Sequence, residues 1–286
     1  MTNTKEKMSE RIFAHFLNEM KFRELCEKLN EGEAIILLER LFGVRPAIVF
    51  LDQEREYDEK ILLPIIEKRE NNVPLQYILG EWEFMGHSFI VTPACLIPRP
   101  DTEVLVEKAL KVIKKGDRVA DFCTGSGCIG LSLLLFTPLE NITLVDLSSD
   151  ALEVARGNAK KHYLENRCEL ILGDICTLNF ENKFDVIVSN PPYIPSRDID
   201  TLSSEVKKEP RLALDGGEDG LDIIRFLLDG GILLLNEGGK MLIEFGYDQR
   251  EQIEELSKKA LESGRISSYE IIYDYGKNPR VLFLKR

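Results

Sequence analysis

From residue 100 onward, short apolar runs of strand length alternate with segments of helical periodicity, and few architectures can absorb that order. Strands fit 118–122, 142–146, 169–172, 184–189 and 240–245, and helices fit 100–113, 128–136, 150–162 and 220–228. Strands separated by helices pair in parallel through crossovers, which puts helices on both faces of one sheet. Two last runs, 269–273 and 280–284, lie too close together for a helical crossover and are expected as an antiparallel hairpin at the sheet edge. The expectation is a doubly wound α/β sheet of seven strands, with ligands bound beyond the carboxyl ends of its parallel strands.

The part before residue 74 reads differently. Apolar residues recur at helical spacing in Ile12, Phe13, Phe16, Leu17 and Met20, and again in Ile35, Leu38, Leu41 and Phe42, while 57–69 reads as a further helix despite Pro64. From Tyr77 to Val91 the pattern alternates around a Met85-Gly86 turn signal, as in a β-hairpin. The expected organisation is a helical domain over 1–73 that docks the substrate, a linker with the hairpin over 74–98, and a catalytic domain over 99–286.

Composition narrows the partners. The 286 residues carry a net charge of −12, and acidic residues outnumber basic ones both before and after residue 80. Dedicated binders of DNA or RNA hold phosphates with Lys and Arg, so direct nucleic-acid binding is not expected. None of the six cysteines forms a CxxC pair. They read as reduced thiols, with no metal site. Residues 1–10 are polar with both charge signs, unlike a signal peptide, and the longest apolar stretches are too short to span a bilayer. A cytoplasmic protein without a membrane partner is expected, and a monomer.

Between the first strand and its helix lies Asp121-Phe122-Cys123-Thr124-Gly125-Ser126-Gly127-Cys128-Ile129-Gly130. Glycines at 125, 127 and 130 let a backbone turn tightly and approach a ligand. Asp146 ends the next strand, where an acid can accept hydrogen bonds from ribose hydroxyls. The loop alone suits a nicotinamide dinucleotide as well as S-adenosylmethionine. Asp121, ahead of the glycines where its side chain can lie near a bound amino-acid portion, and Asp174, after the third strand and placed to meet an adenine amino group, favour S-adenosylmethionine.

Asn190-Pro191-Pro192-Tyr193 follows the fourth strand. An amide or exocyclic amine nitrogen is a poor nucleophile because its lone pair is delocalised. A site that methylates it must accept both N–H hydrogens and aim the lone pair at the methyl carbon. The Asn190 side-chain oxygen and the Pro191 carbonyl can accept those hydrogens in a dry pocket. The prolines stiffen the loop, and the Tyr193 ring can stack on a planar amide or base. The residues admit a protein glutamine or a flipped-out adenine or guanine as substrate. A nicotinamide-dependent oxidoreductase would leave 190–193 without a role.

With these motifs in place the sequence resembles the HemK/PrmC family of release factor glutamine methyltransferases. The resemblance rests on Leu75-Gln76-Tyr77-Ile78-Leu79-Gly80, Ile97-Pro98-Arg99-Pro100-Asp101-Thr102-Glu103, Val188 to Ile194, and Glu209 to Leu221. It implies a class I S-adenosylmethionine-dependent methyltransferase fold, Rossmann-like, with a small N-terminal helical bundle. It also implies methylation at N5 of the glutamine in the GGQ motif of class 1 peptide chain release factors, with S-adenosyl-L-homocysteine as product. By the same resemblance Cys123, Thr124, Gly125, Ser126, Gly127, Asp146, Asp174, Ile175 and Asn190 contact the cofactor, and Asn190, Pro191, Pro192 and Tyr193 hold the glutamine. One departure stands out: the family usually has glycine where this chain has Cys123, so a backbone with positive φ there would be strained.

Overall fold

The described part of the chain, residues 19–286 of a computed structural model, opens on an element that helical spacing conceals. Glu19–Lys21 (β1) pairs antiparallel with Glu56–Asp58 (β2), setting the buried Met20 opposite the buried Tyr57. Met20 therefore sits in a ribbon instead of on the expected helix, and Tyr57 precedes the helix it was expected to open. Ile12, Phe13, Phe16 and Leu17 lie outside the described residues. The chain divides into two compact units, Met1–Ile78 and Leu79–Arg286.

The first unit contains Phe22–Lys28 (α1), Glu31–Phe42 (α2), Pro46–Leu51 (α3) and Glu59–Glu70 (α4), and Leu75–Leu79 (α5) follows at the division. Local chemistry fixes their ends. The Asn30 side chain accepts from the Glu33 N–H at 2.9 Å, and α2 stops on Gly43 at φ +65°. Pro46 opens α3, where its missing N–H costs nothing. Arg69 of α4 grips Glu33 of α2 with two hydrogen bonds, Nη2 to Oε1 at 2.6 Å and Nε to Oε2 at 3.1 Å.

In the second unit, Glu81–Phe84 (β3) and His87–Ile90 (β4) form the hairpin. Met85 and Gly86 at its tip both have positive φ, 52° and 72°, as a tight two-residue hairpin loop requires. The hairpin is shorter than the alternation suggests, because residues 77–79 belong to α5. Pro100–Thr102 is a single 3₁₀ turn that leads into Glu103–Leu110 (α6), so the expected helix over 100–113 starts later and ends earlier.

The sheet is built from Val119–Phe122 (β5), Ile142–Asp146 (β6), Cys168–Leu172 (β7), Phe184–Ser189 (β8), Leu235–Glu244 (β9), Ser268–Tyr273 (β10) and Pro279–Lys285 (β11), in the order β10-β11-β9-β8-β5-β6-β7. β5 to β9 run parallel, while β11 is antiparallel to both β9 and β10. This is the expected seven-stranded sheet with an antiparallel C-terminal hairpin. Cys128–Phe136 (α7) and Ser149–Lys161 (α8) follow β5 and β6, and Asp222–Asp229 (α9) and Arg250–Glu262 (α10) flank β9.

Strand alternation loads both faces. Val186, Val188, Leu242, Val281 and Phe283 join one core with Leu105 of α6 and Leu131 of α7. Ile187, Met241, Ile243, Leu282 and Leu284, one residue out of step, join the other with Ile224 of α9 and Ile253 of α10. Neither face is free to meet water, which is why these strands read as continuous apolar runs. After β5 the chain builds β6 and β7 to one side, and after β7 it returns to build β8 and β9 on the other. The carboxyl ends of β5 and β8 therefore flank the crevice where such sheets take ligands.

Candidate active site

A cavity of about 410 Å³ opens at that crevice. Cys123, Thr124, Gly125 and Ser126 from the β5–α7 loop, Asp146 from the end of β6, Asp174 and Ile175 beyond β7, and Asn190 and Pro192 beyond β8 all line it. Four separate loops predicted from sequence thus converge on one space. Asp121, Gly127, Pro191 and Tyr193 do not line it; they shape it from behind.

The β5–α7 loop is held by two carboxylates. Asp121 was expected near a bound amino-acid portion, but it is fully buried under the loop. Its Oδ2 accepts from the Thr124 hydroxyl at 2.6 Å and the Gly130 N–H at 2.9 Å, which ties the loop to the first turn of α7. Burial pushes its pKa up to about 7 against the pull of those two hydrogen bonds. Asp146 takes the Gly125 N–H on Oδ2 at 2.8 Å and the Ser148 N–H on Oδ1 at 2.9 Å, so its carboxylate is fixed at the cavity wall. Burial raises its pKa too, opposed by these backbone donors. Gly130 is required for packing: a Cβ there would lie 2.4 Å from Leu144 of β6.

Cys123 adopts φ +58°, the left-handed region. A side chain in this conformation costs roughly 1–2 kcal/mol relative to glycine. The thiol is a cavity-wall group beside Ser189, and burial pushes its pKa far above the ordinary thiol range. It is therefore a neutral, weakly nucleophilic group at physiological pH.

At the other end of the cavity, Asn190 Nδ2 donates to the Thr102 hydroxyl at 3.2 Å. That leaves the Asn190 oxygen without a donor among the described residues, and the Pro191 carbonyl likewise. The Pro191–Pro192 peptide is trans. Tyr193 is held behind the wall, its hydroxyl donating to Glu244 Oε1 at 3.4 Å and its carbonyl accepting from Gln249 Nε2 at 2.8 Å. The segment 209–221, which sequence reasoning left without a role, forms the far wall. Ile194 N–H donates to Leu214 O and Gly216 N–H to Ile194 O, both at 2.9 Å. A Cβ on Gly216 would fall 2.7 Å from the Pro192 carbonyl oxygen. Arg99 also faces the cavity, and its guanidinium pairs with the buried Glu209, whose Oε2 accepts from the Ile97 N–H at 3.0 Å.

The wall carries Asp146, Asp174, Asp215 and Asp222; Asp215 pairs with Arg211 and Asp222 with Arg225, which leaves Asp146 and Asp174 as wall carboxylates without an ion pair among the described residues, while Arg99 is paired with Glu209. Such a field suits a cationic ligand and opposes a pyrophosphate. The donor set therefore fits a sulfonium nucleoside better than a nicotinamide dinucleotide.

A family model described as "Methyltransferase small domain" matches residues 100–218. A release factor glutamine methyltransferase of Aquifex aeolicus is 35% identical over 278 residues, covering 94% of this chain and 97% of that protein. Another, of Moorella thermoacetica, is 42% identical over 223 residues, 77% of this chain and 78% of that protein. This chain belongs to the release factor glutamine methyltransferase family. A solved methyltransferase of Pyrococcus furiosus, 21% identical, covers 71% of this chain and 90% of its own at a TM-score of 0.54, and shares the fold. Family membership gives the α/β sheet, its hairpin and the 190–193 loop a common setting. Arg99, Thr102 and Glu209 lie in the segments that carry the family resemblance, but the sequence assigns no role to them or to Glu244.

Proposed function

We propose that this protein transfers the methyl group of S-adenosylmethionine to the side-chain amide nitrogen, N5, of the glutamine in the GGQ motif of class 1 peptide chain release factors. The observation that carries the reading is the Asn190 oxygen on the wall of an acid-lined cavity, which, like the adjoining Pro191 carbonyl, has no donor among the described residues. The relatives' names favour a protein amide over the amine of a nucleic-acid base.

The cofactor supplies an electrophilic methyl carbon on a sulfonium. The chain's own residues do the rest. Asp146 would accept from the ribose hydroxyls, Asp174 and the Ile175 backbone would meet the adenine, and the 123–127 loop would hold the amino-acid portion. Asn190 Oδ1 and Pro191 O each accept one N–H of the substrate amide, which draws the nitrogen toward tetrahedral character and points its lone pair. Holding nitrogen and methyl carbon in line supplies much of the acceleration. Tyr193 braces the corner from behind the wall, and Pro192 stiffens it. The nitrogen becomes strongly acidic once alkylated, so loss of its proton needs no dedicated base.

The N-terminal unit is assigned to docking the substrate protein. Its exposed Ile48, Phe50 and Leu51 are apolar side chains of the kind that protein interfaces bury.

The test is direct: incubate the protein with labelled S-adenosylmethionine and a release factor, then map the label by mass spectrometry. One added methyl on the GGQ glutamine is expected. Label that persists after that glutamine is changed to alanine overturns the assignment.

A further inference from the structure

Two buried groups next to the 190–193 loop have no place in the chemistry above, one of them, Thr102, on the cavity wall. Thr102, at the end of the 3₁₀ turn, is 2% exposed, and Glu244, at the end of β9, is 1% exposed. Thr102 receives the Asn190 amide at 3.2 Å. Glu244 receives the Tyr193 hydroxyl at 3.4 Å. The two ends of the loop thus reach the same buried pair.

A hydroxyl has one hydrogen to give. If Thr102 gives it to a carboxylate, only its lone pairs remain for Asn190, and Asn190 must present its NH₂ there and its oxygen to the cavity. Should the hydroxyl be free to donate to Asn190 instead, the amide can turn over and present NH₂ to the substrate, where an acceptor is needed. The available carboxylate is Glu244. Its Oε2 is buried with no hydrogen-bond partner among the described residues. The Thr102 hydroxyl is the neighbouring donor that draws the Glu244 pKa down against burial. A hydrogen bond from Thr102 to Oε2 would satisfy the orphaned oxygen and fix the Asn190 amide together.

We propose that Thr102 and Glu244 are positioning residues for methyl transfer: the carboxylate directs the Thr102 hydroxyl, which fixes the Asn190 amide with its oxygen toward the substrate, and it anchors Tyr193 at the other end of the loop. Neither residue touches the reacting atoms. The inference rests on the reading of residues 190 and 191 as the acceptors of the substrate amide.

Steady-state kinetics with a release factor tests it, with wild type, Thr102→Val, Thr102→Ser, Glu244→Gln and the Thr102→Val/Glu244→Gln double variant side by side. Calorimetry with S-adenosylhomocysteine reports whether each variant keeps its cofactor pocket. Thr102→Val is nearly isosteric but cannot hydrogen-bond. It is expected to lower kcat on the order of tenfold to a hundredfold, the scale of a misplaced reacting group. KM for S-adenosylmethionine should stay near the wild-type value. Thr102→Ser should recover most of the rate, and the double variant should lose little beyond the slower single variant, since both act through one contact. A Thr102→Val protein with near wild-type kcat, a Thr102→Ser protein as slow as Thr102→Val, or additive losses in the double variant would each overturn the proposal. If Thr102→Val loses S-adenosylhomocysteine binding, Glu244→Gln decides alone: a slowed kcat with retained binding supports the proposal, and an unchanged kcat overturns it. A wild-type enzyme that leaves the GGQ glutamine unmethylated removes the underlying reading instead, and the wild-type arm shows this by itself.

Discussion

Two residues concentrate the chemistry and the strain. Asn190 faces the cavity with a side-chain oxygen that has no donor among the described residues, and the proposed reaction uses it as an acceptor for a substrate N–H. Asn190→Ala should therefore cut turnover by about a hundredfold or more, the cost of removing one transition-state hydrogen bond. Binding of S-adenosylhomocysteine, followed by calorimetry, should weaken far less; a near-normal rate would contradict the mechanism. Cys123 was flagged from sequence as a departure from glycine, and its φ of +58° makes that departure physical. A β-branched side chain tolerates this backbone even less. Cys123→Val is expected to destabilise the protein by roughly 1–3 kcal/mol in a denaturant titration, whereas Cys123→Gly should keep or raise the midpoint. The glycine pattern and the tetrapeptide were legible because each needs particular residue types at particular spacings. Thr102 and Glu244 were not, because a buried hydroxyl and a strand-end acid acquire meaning only when residues far apart in sequence are brought together.

Among the elements, the sheet could be read almost strand by strand. β6 and β8 match their sequence assignments, and so does α7, because buried parallel strands and the helix after a glycine loop leave uninterrupted apolar runs. α10 is not evident in the sequence: only a narrow stripe, including Ile253 and Ala260, is buried on an otherwise charged helix. The β1–β2 ribbon is not evident either, since three-residue strands are too short to show a period of two. The segment 209–221 is the element whose role the fold alone supplies, through Gly216 pressed against Pro192 and Tyr193. Gly216→Ala should displace the catalytic loop. Turnover is then expected to fall on the order of a hundredfold while the protein still melts cooperatively. A rate unchanged from wild type would show that the wall can yield without disturbing the loop.

For the molecule as a whole, two buried acids set a dependence of stability on pH. Burial pushes Asp121 and Glu244 each up to about 7, while ordinary carboxylates of an unfolded chain titrate near 4. Between those values the native protein holds protons that the unfolded chain has released. The stabilising contribution is thus fully present below about pH 4 and is lost as pH rises through about 7. Asp274 runs the other way: its pKa is lowered in the fold, where burial is outweighed by hydrogen bonds from Asn278 and the Arg280 guanidinium. Its contribution is present above the ordinary carboxylate range and lost on acidification. Denaturant midpoints of wild type and Glu244→Gln, compared between pH 5 and 8, should show wild type losing ground to the variant as pH rises. A constant difference would mean that Glu244 stays ionised throughout.

The strand order carries one more consequence, concerning synthesis. β9 lies between β8 and β11, and the group that anchors Tyr193 sits at its far end, while Arg280, beside that carboxylate, comes from the final strand. A ribosome-bound chain can complete its glycine loop and tetrapeptide more than fifty residues before Glu244 emerges, yet it would lack the counterpart that sets them. Premature termination before the end of β9 should accordingly yield an inert polypeptide instead of a weakened catalyst.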